Sequence, residues 1–238
     1  DDFEASATEQ ARREQLVDWE TGFELKKPKY AINANVYYMN YKDQLVLTGK
    51  INDVGAYTRT NVPKSYRAGL ELQVKYAFNK KYNTSYSITF SQNKIEEFTE
   101  YIDDYDQFTQ VAIQHKNTNI ALSPSLITNR TFNWKPNDKL SFFWTTKYTS
   151  KQFLDNTQNK DRQLDAFFIN DLNAHWTILN KTKFTMLLQL YANNVLDVKY
   201  APNGYTFSYI YDRTLTTSNN FYPMAGRNYW ISLKIDLK

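Results

Sequence analysis

Residues 136–151 read PNDKLSFFWTTKYTSK. The even positions carry Leu140, Phe142, Trp144 and Tyr148, and the odd positions include Ser141, Thr145, Lys147 and Lys151. Side chains on a β-strand alternate between faces, so this segment has one aromatic, apolar face and one polar face. A half-buried strand of a water-soluble sheet has that pattern, and so has a strand with lipid on one side and water on the other. The rest of the sequence decides between these two solvents.

The alternation recurs. In SYRAGLELQVKYAF (65–78) the apolar set Tyr66, Ala68, Leu70, Leu72, Val74, Tyr76 and Phe78 opposes Arg67, Gly69, Glu71, Gln73 and Lys75. YNTSYSITFSQN (82–93), TKFTMLLQLYANN (182–194) and NYWISLKIDLK (228–238) repeat it, and weaker versions lie near 14–25, 30–47, 118–134 and 164–178. These segments predict about nine strands, mostly of about 10 to 14 residues. Strands of soluble sheets are typically about 5 to 6 residues long, whereas a tilted strand crossing a bilayer needs about 9 to 11.

The connections sharpen the choice. KKPK (26–29), NKK (79–81), PND (136–138) and LNK (179–181) are short and alternate with longer connections at 49–62, 96–117, 153–163 and 199–223. Short turns at one end and long loops at the other are the layout of an outer-membrane barrel. A soluble sandwich has no reason to place every tight turn at one end. The expected fold is therefore all-β, an antiparallel transmembrane β-barrel with lipid against Phe142 and Trp144.

Composition agrees. The chain has 238 residues, 42% hydrophobic and 23% charged, with 19 Tyr, 15 Phe and 5 Trp. A mean hydropathy of -0.66 fits strands whose lumenal half is polar, and no run approaches the roughly 18 apolar residues of a spanning helix. The net charge of +4 is small, and no basic cluster interleaved with aromatics points to nucleic acid. With no cysteine, disulfides and thiolate sites are excluded. The opening DDFEASATEQARREQ shows neither an initiator Met nor an apolar signal core, so the chain reads as a piece of something longer. Nine strands are also odd, where single-chain bacterial barrels close with an even number.

The end of the chain carries two motifs. NNVLDVKYAPNGY (193–205) resembles the NNLF-x-x-x-Y element of TonB-dependent receptors, and FYPMAGRNYWISLKIDLK (221–238) resembles their closing YP-x-x-GR-x-(Y/F) strand. KYTSKQFLDNTQNKDRQLDAFFINDL (147–172) resembles the matching segment of receptors from Bacteroidetes, and SYRAGLEL the RGxE element, with Ala68 between Arg67 and Gly69. The resemblance implies that residues 1–238 are about nine C-terminal strands of a roughly 22-stranded, plugged barrel. It implies a Gram-negative outer-membrane location, with the plug and N-terminal strands, an inner-membrane TonB complex, the lipid bilayer and a surface lipoprotein as partners. One departure is the ending in Leu237 and Lys238, where such barrels commonly close on an aromatic residue. The implied activity is active import of a scarce, bulky nutrient, foremost a ferric siderophore or similar iron complex. The alternatives are a glycan or peptide importer, a receptor-fold structural or assembly component, and a soluble carbohydrate-binding sandwich.

Nothing suggests catalysis: no nucleophile, base and orienting group occur together, no glycine-rich phosphate loop is present, and no cofactor is implied. His175 falls on a polar strand face and His115 in the 96–117 loop, neither at a metal-ligand spacing from a second ligand. EEFTEYIDDYDQF (96–108) is rich in carboxylates that suit a hard cation, but it lacks the calcium-loop glycine and ligand periodicity. The candidates for ligand contact are loop aromatics and arginines: Tyr57, Arg59, Tyr101, Tyr105, Tyr209, Tyr211 and Arg213. Guanidinium groups pair with carboxylates and stack on rings, which suits anionic aromatic ligands. Packing of these aromatics among themselves is the bland alternative. Arg162 lies in the remaining long loop.

Overall fold

The computed structural model describes residues 11–52 and 54–237. The opening segment DDFEASATEQ and Lys238 lie outside the described residues. The described chain has strands and no helix: β1 (Gln15–Lys26), β2 (Tyr30–Ile51), β3 (Tyr57–Ala77), β4 (Tyr82–Asp104), β5 (Thr109–Asn119), β6 (Leu126–Asn137), β7 (Leu140–Thr149), β8 (Gln152–Phe153), β9 (Gln163–Leu164), β10 (Phe167–Asn180), β11 (Phe184–Asn193), β12 (Asn203–Tyr211), β13 (Thr214–Tyr222) and β14 (Asn228–Leu237).

Nine of them form one antiparallel path, β1-β2-β3-β4-β6-β7-β10-β11-β14, and these are the nine segments that the alternation marks. The other five are structure within the long connections. β5 folds back on the upper half of β4, β12 and β13 form a hairpin, and β8 and β9 form a short ladder. At the opposite end the turns are tight, and two of them are capped by asparagine. Asn79 Oδ1 accepts the amides of Lys81 and Tyr82, and Asn137 Oδ1 accepts those of Lys139 and Leu140. Asparagine can close such turns with its own side chain.

The register puts each alternating set on one face. Ala34, Leu72 and Ile88 form one cross-strand row, Trp134, Phe142, Ala174, Leu190 and Ile231 another. Near the tight turns the apolar face carries stacked rings, with Tyr82 and Trp134 at 6.3 Å and Trp134 and Phe142 at 5.1 Å. The opposite face carries rows such as Asn35, Glu71 and Thr89, and His175 with Gln189 and Ser232. His175 sits there against Phe143, with ring centroids 4.8 Å apart, and within 3.3 Å of Gln189 Nε2. Nine strands leave the sheet open, with β1 bonded only to β2 and β14 only to β11 among the described residues.

Two expectations about strand length need correction. β2, β3 and β4 have 22, 21 and 23 residues, about twice what a bilayer requires, and the connection expected at 49–62 shrinks to the few residues between Ile51 and Tyr57. The alternation hid this because it changes phase part-way up. On β4, Asn93 and Ile95 are buried, Glu96 and Glu97 are both exposed, and Phe98, Ile102 and Asp104 are buried beyond them. On β3 the break is at exposed Pro63 and Lys64, between buried Val62 and Ser65. On β2 it falls at Asp43, which adopts φ +53°. The pairings Lys42–Lys64, Gln44–Val62 and Ser65–Ile95 set the three breaks in one row. Above that row the buried side chains Val46, Val62, Ile95, Phe98 and Ile120 form the only clustered core among the described residues. The strand expected over 118–134 starts at Leu126, because β5 ends at Asn119 and a loop intervenes.

The face assignment gives a direct prediction. Leu188→Arg in the full receptor puts a cation on the apolar face beside Trp176 and Leu233 and should destabilise folding into lipid vesicles by about 2–4 kcal/mol near the midplane. Gln189→Arg, on the polar face, should change stability far less. Denaturant titration in vesicles reads the difference, and equal losses would refute the assignment.

Candidate ligand-facing surface

At the loop end, two hairpins are joined tip to tip. β12 meets β4 in parallel through Tyr209–Asp103 and Ile210–Asp104, and the Tyr105 amide donates to the Ile210 carbonyl at 3.0 Å. The β12–β13 turn holds Asp212 and Arg213 at φ +48° and +58°, a conformation that suits aspartate at the first position but that hairpin turns usually give to glycine at the second. The Asp106 carboxylate offsets that cost. It accepts the Asp212 amide at 2.9 Å and the Arg213 amide at 2.7 Å.

β12 is two-faced. Gly204, Thr206 and Ser208 are buried, and the other set, Tyr205, Phe207, Tyr209 and Tyr211, forms an aromatic stripe with Phe207 and Tyr211 exposed. Phe207 and Tyr209 stack at 6.3 Å, and Tyr105 meets Tyr209 edge-on at 6.0 Å. Such aromatic pairs favour a fixed geometry.

Behind the stripe lies a charged network. Arg162 is 4% exposed; its guanidinium donates to Glu100 at 2.5 Å, Asp155 at 2.7 Å and Ser208 Oγ at 2.8 Å. Burial works against the charge, but the hydrogen bonds it donates to Asp155 and Glu100 hold its pKa above the ordinary arginine value. Glu100 also meets His115 Nε2 at 3.1 Å. Asn156, fully buried, accepts the Ala121 amide and donates to the Leu47 carbonyl. The segment between β8 and β9 is thereby fixed against β2, β4 and β12. Gly49, at φ +92°, is required where it passes, because a Cβ there would lie 2.6 Å from Asp155 Cβ.

The structure brings Tyr105 and Tyr209 together and leaves Tyr211 and Arg213 exposed at the hairpin tip. Tyr57 serves as a tie: its hydroxyl lies 2.9 Å from Asn203 Oδ1 and 3.0 Å from the Gly204 carbonyl, and burial raises its pKa. Arg59 and Tyr101 stand exposed on β3 and β4, and Lys50 Nζ donates to the Tyr101 carbonyl. Arg162 is an internal ion-pair partner rather than a surface arginine. Tyr205 and Phe207 were missed as contact candidates, although the alternation of YTFSYIY places them on one face with Tyr209. The carboxylates read as possible cation ligands are engaged inside the protein, Glu100 with Arg162 and His115, Asp106 with turn amides.

The two terminal motifs form a clasp where β11 and β14 leave the sheet. Asn194, buried at φ +48°, donates its amide to Asp171 Oδ1 and exchanges side-chain bonds with the Val198 backbone. Asp197 accepts the Arg227 amide at 2.8 Å, Asn193 donates to Asn228, and a Cβ on Gly226 would lie 2.5 Å from Asp197 Oδ1. Asn193, Asn194, Asp197, Gly226 and Arg227 hold the two strands together.

The fold and the clasp define a class, outer-membrane receptor barrels. The sequence matches the family described as TonB dependent receptor-like, beta-barrel over residues 12–195, and the chain belongs to that family of receptors and transporters, which are not enzymes. No curated protein sequence matches. Solved structures share the fold: the ferric yersiniabactin uptake receptor FyuA from Yersinia pestis (TM-score 0.64, 14% identity, 94% of this chain and 30% of that one), the copper transporter OprC (0.67, 16%, 98% and 33%) and the siderophore receptor PiuA from Acinetobacter baumannii (0.63, 16%, 93% and 28%). The chain spans about a third of each. The family is found in the outer membrane of Gram-negative bacteria.

Two outcomes test this arrangement. Arg162→Ala leaves Glu100 and Asp155 buried without their cation, a type of change that costs about 3–5 kcal/mol; limited proteolysis should then cut between β8 and β9 and in the β12–β13 hairpin while the transmembrane strands persist. The second concerns pH. Asp197 has its pKa lowered, first by the Arg227 amide and then by Lys199. A lowered carboxylate pKa gives stabilisation that is present above the ordinary aspartate range and lost as pH falls through the lowered value. Protection of the Arg227 amide from hydrogen exchange, taken relative to its intrinsic rate at each pH, should fall only in that acid range, and Asp197→Asn should remove that fall.

Proposed function

We propose that the chain is the C-terminal part of a TonB-dependent importer whose long-loop end is extracellular and captures a ferric siderophore or similar iron complex. The carrying observation is the exposed aromatic stripe on β12, with Tyr105 beside it and Arg213 at the tip, held rigid by the network at Arg162. Rings on a fixed strand present stacking surface without losing much freedom on binding, and an exposed guanidinium suits carboxylate or catecholate oxygens. Solved structures with this fold include a ferric yersiniabactin uptake receptor, a siderophore receptor and a copper transporter, which supports metal complexes as the class. A plug within the completed barrel and an inner-membrane TonB complex would release the cargo, as in the family. The likeness of residues 147–172 to receptors from Bacteroidetes supports that origin. The same stripe would also stack on sugar rings, the chemistry of a glycan importer working with a surface lipoprotein.

Cells producing the full receptor with Phe207, Tyr209 and Tyr211 all changed to Ala should bind and take up iron-loaded siderophore roughly tenfold or more weakly, with the amount of receptor in the membrane unchanged. Unaltered siderophore uptake, with loss of oligosaccharide uptake instead, would favour the glycan cargo. Sidedness is read by inserted epitopes. One after Lys160, in the exposed part of the β8–β9 connection, should be labelled on intact cells, and one after Lys181, in a tight turn, should not.

A further inference from the structure

The aromatic stripe of β12 does not end at that strand. Tyr209 is the Cα partner of Asp103 in the parallel pair, and directly paired residues of neighbouring strands present their side chains on one face. The stripe therefore continues onto β4, where Tyr101 lies two residues before Asp103, and Tyr105 meets Tyr209 edge-on at 6.0 Å. Tyr101 and Tyr105 are 52% and 46% exposed. Asp103 thus stands among the tyrosines Tyr101, Tyr105 and Tyr209, where the two hairpins join. Aspartate is depleted from strands, and this one supplies neither a turn nor a cap. Its Oδ1 accepts the Gln110 side-chain amide from β5 at 2.8 Å, and the carboxylate makes no ion pair among the described residues.

The other charges nearby are engaged. Glu97, farther along the same face of β4, pairs with Lys116 at 3.8 Å. Asp106 takes the two turn amides, and the Lys50 ammonium donates to the Tyr101 carbonyl at 3.1 Å. A carboxylate without a cation, set among tyrosine rings whose faces are negative, is a place for a positive charge. An anionic group would be repelled there, and an uncharged one would leave the carboxylate unpaired. We infer that this junction binds an ammonium group of the cargo, with Asp103 as its ion-pair partner and the rings of Tyr101, Tyr105 and Tyr209 against its methylene stem. The inference rests on the reading of this end as the capture surface for an iron complex, and it narrows that class to complexes carrying a free amine. Arg213, exposed at the hairpin tip, remains available to anionic oxygens of the same cargo.

The test uses full-length receptor in detergent and two iron complexes that differ by one charge. One is a linear ferric trihydroxamate with a free terminal ammonium, the other the same complex with that amine acetylated. Quenching of protein fluorescence reads the affinities. Wild type should bind the ammonium form roughly tenfold more tightly, the scale of an exposed cation–π contact added to a surface ion pair. Asp103→Asn, which keeps an acceptor for Gln110, should bring the ammonium form down to the affinity of the acetylated one and leave the latter unchanged. Tyr101→Leu should lower the same preference part-way, a second arm if Asp103→Asn fails to fold. Equal binding of the two complexes by wild type overturns the inference and leaves the iron-complex reading standing. A preference undiminished in either folded variant also overturns it. Binding of neither complex, with an oligosaccharide bound instead, overturns the iron-complex reading and this inference with it.

Discussion

In lipid, a backbone amide or carbonyl without a partner has no water to turn to, so a strand crossing a bilayer must be bonded on both sides. That constraint orders the nine-strand path from β1 to β14. It explains the antiparallel run and the tight turns between neighbouring strands. It also means that β1 and β14 carry edges that only further strands can satisfy within a bilayer. A sheet of this kind is an arc, and its stability in the membrane belongs to the closed barrel.

Above the membrane the constraint relaxes and the chain uses different means. β2, β3 and β4 continue as a ribbon, and the phase change at Asp43, Pro63–Lys64 and Glu96–Glu97 turns new side chains inward. A small core forms there around Val62, Ile95 and Phe98. Its area alone is too small to order long loops, and the ion pairs of Arg162 complete the task. One guanidinium bonds to residues on β4 and β12 and in the β8–β9 connection, which makes three separate connections behave as one unit. Removing water from the pairs is costly; it is the demand for all partners at once that gives the network its specificity.

Much of this was legible in the sequence. Alternation in residues 66–78, 140–148 and 184–190 identified strands and their faces, because lipid on one side and water on the other enforce a clean pattern. It failed at 49–51, 57–62 and 96–104, beyond or near the phase change, where both faces meet protein or water, so these strand extensions read as loops. The site was half legible. Tyr209 and Tyr211 were marked as loop aromatics, but Phe207 and Tyr205 emerge only once β12 is known to be a strand. Arg162 looked like a surface arginine because nothing local to it signals burial; Glu100 lies 62 residues away and Ser208 46.

The division of labour between motifs and surface follows from the same physics. Asn194, Asp197, Gly226 and Arg227 use a left-handed backbone, a charged acceptor and a missing Cβ to tie β11 to β14 where the sheet ends. These demands are set by backbone geometry and admit few substitutes, so they make a recognisable signature whatever is transported. The aromatic stripe of β12 asks only for exposed rings on a strand whose other face is small and polar. Many sequences meet that requirement, and each presents a different surface. The clasp residues that reveal the family are therefore separate from the exposed aromatic face of β12, which is supported by Ser208 against Arg162.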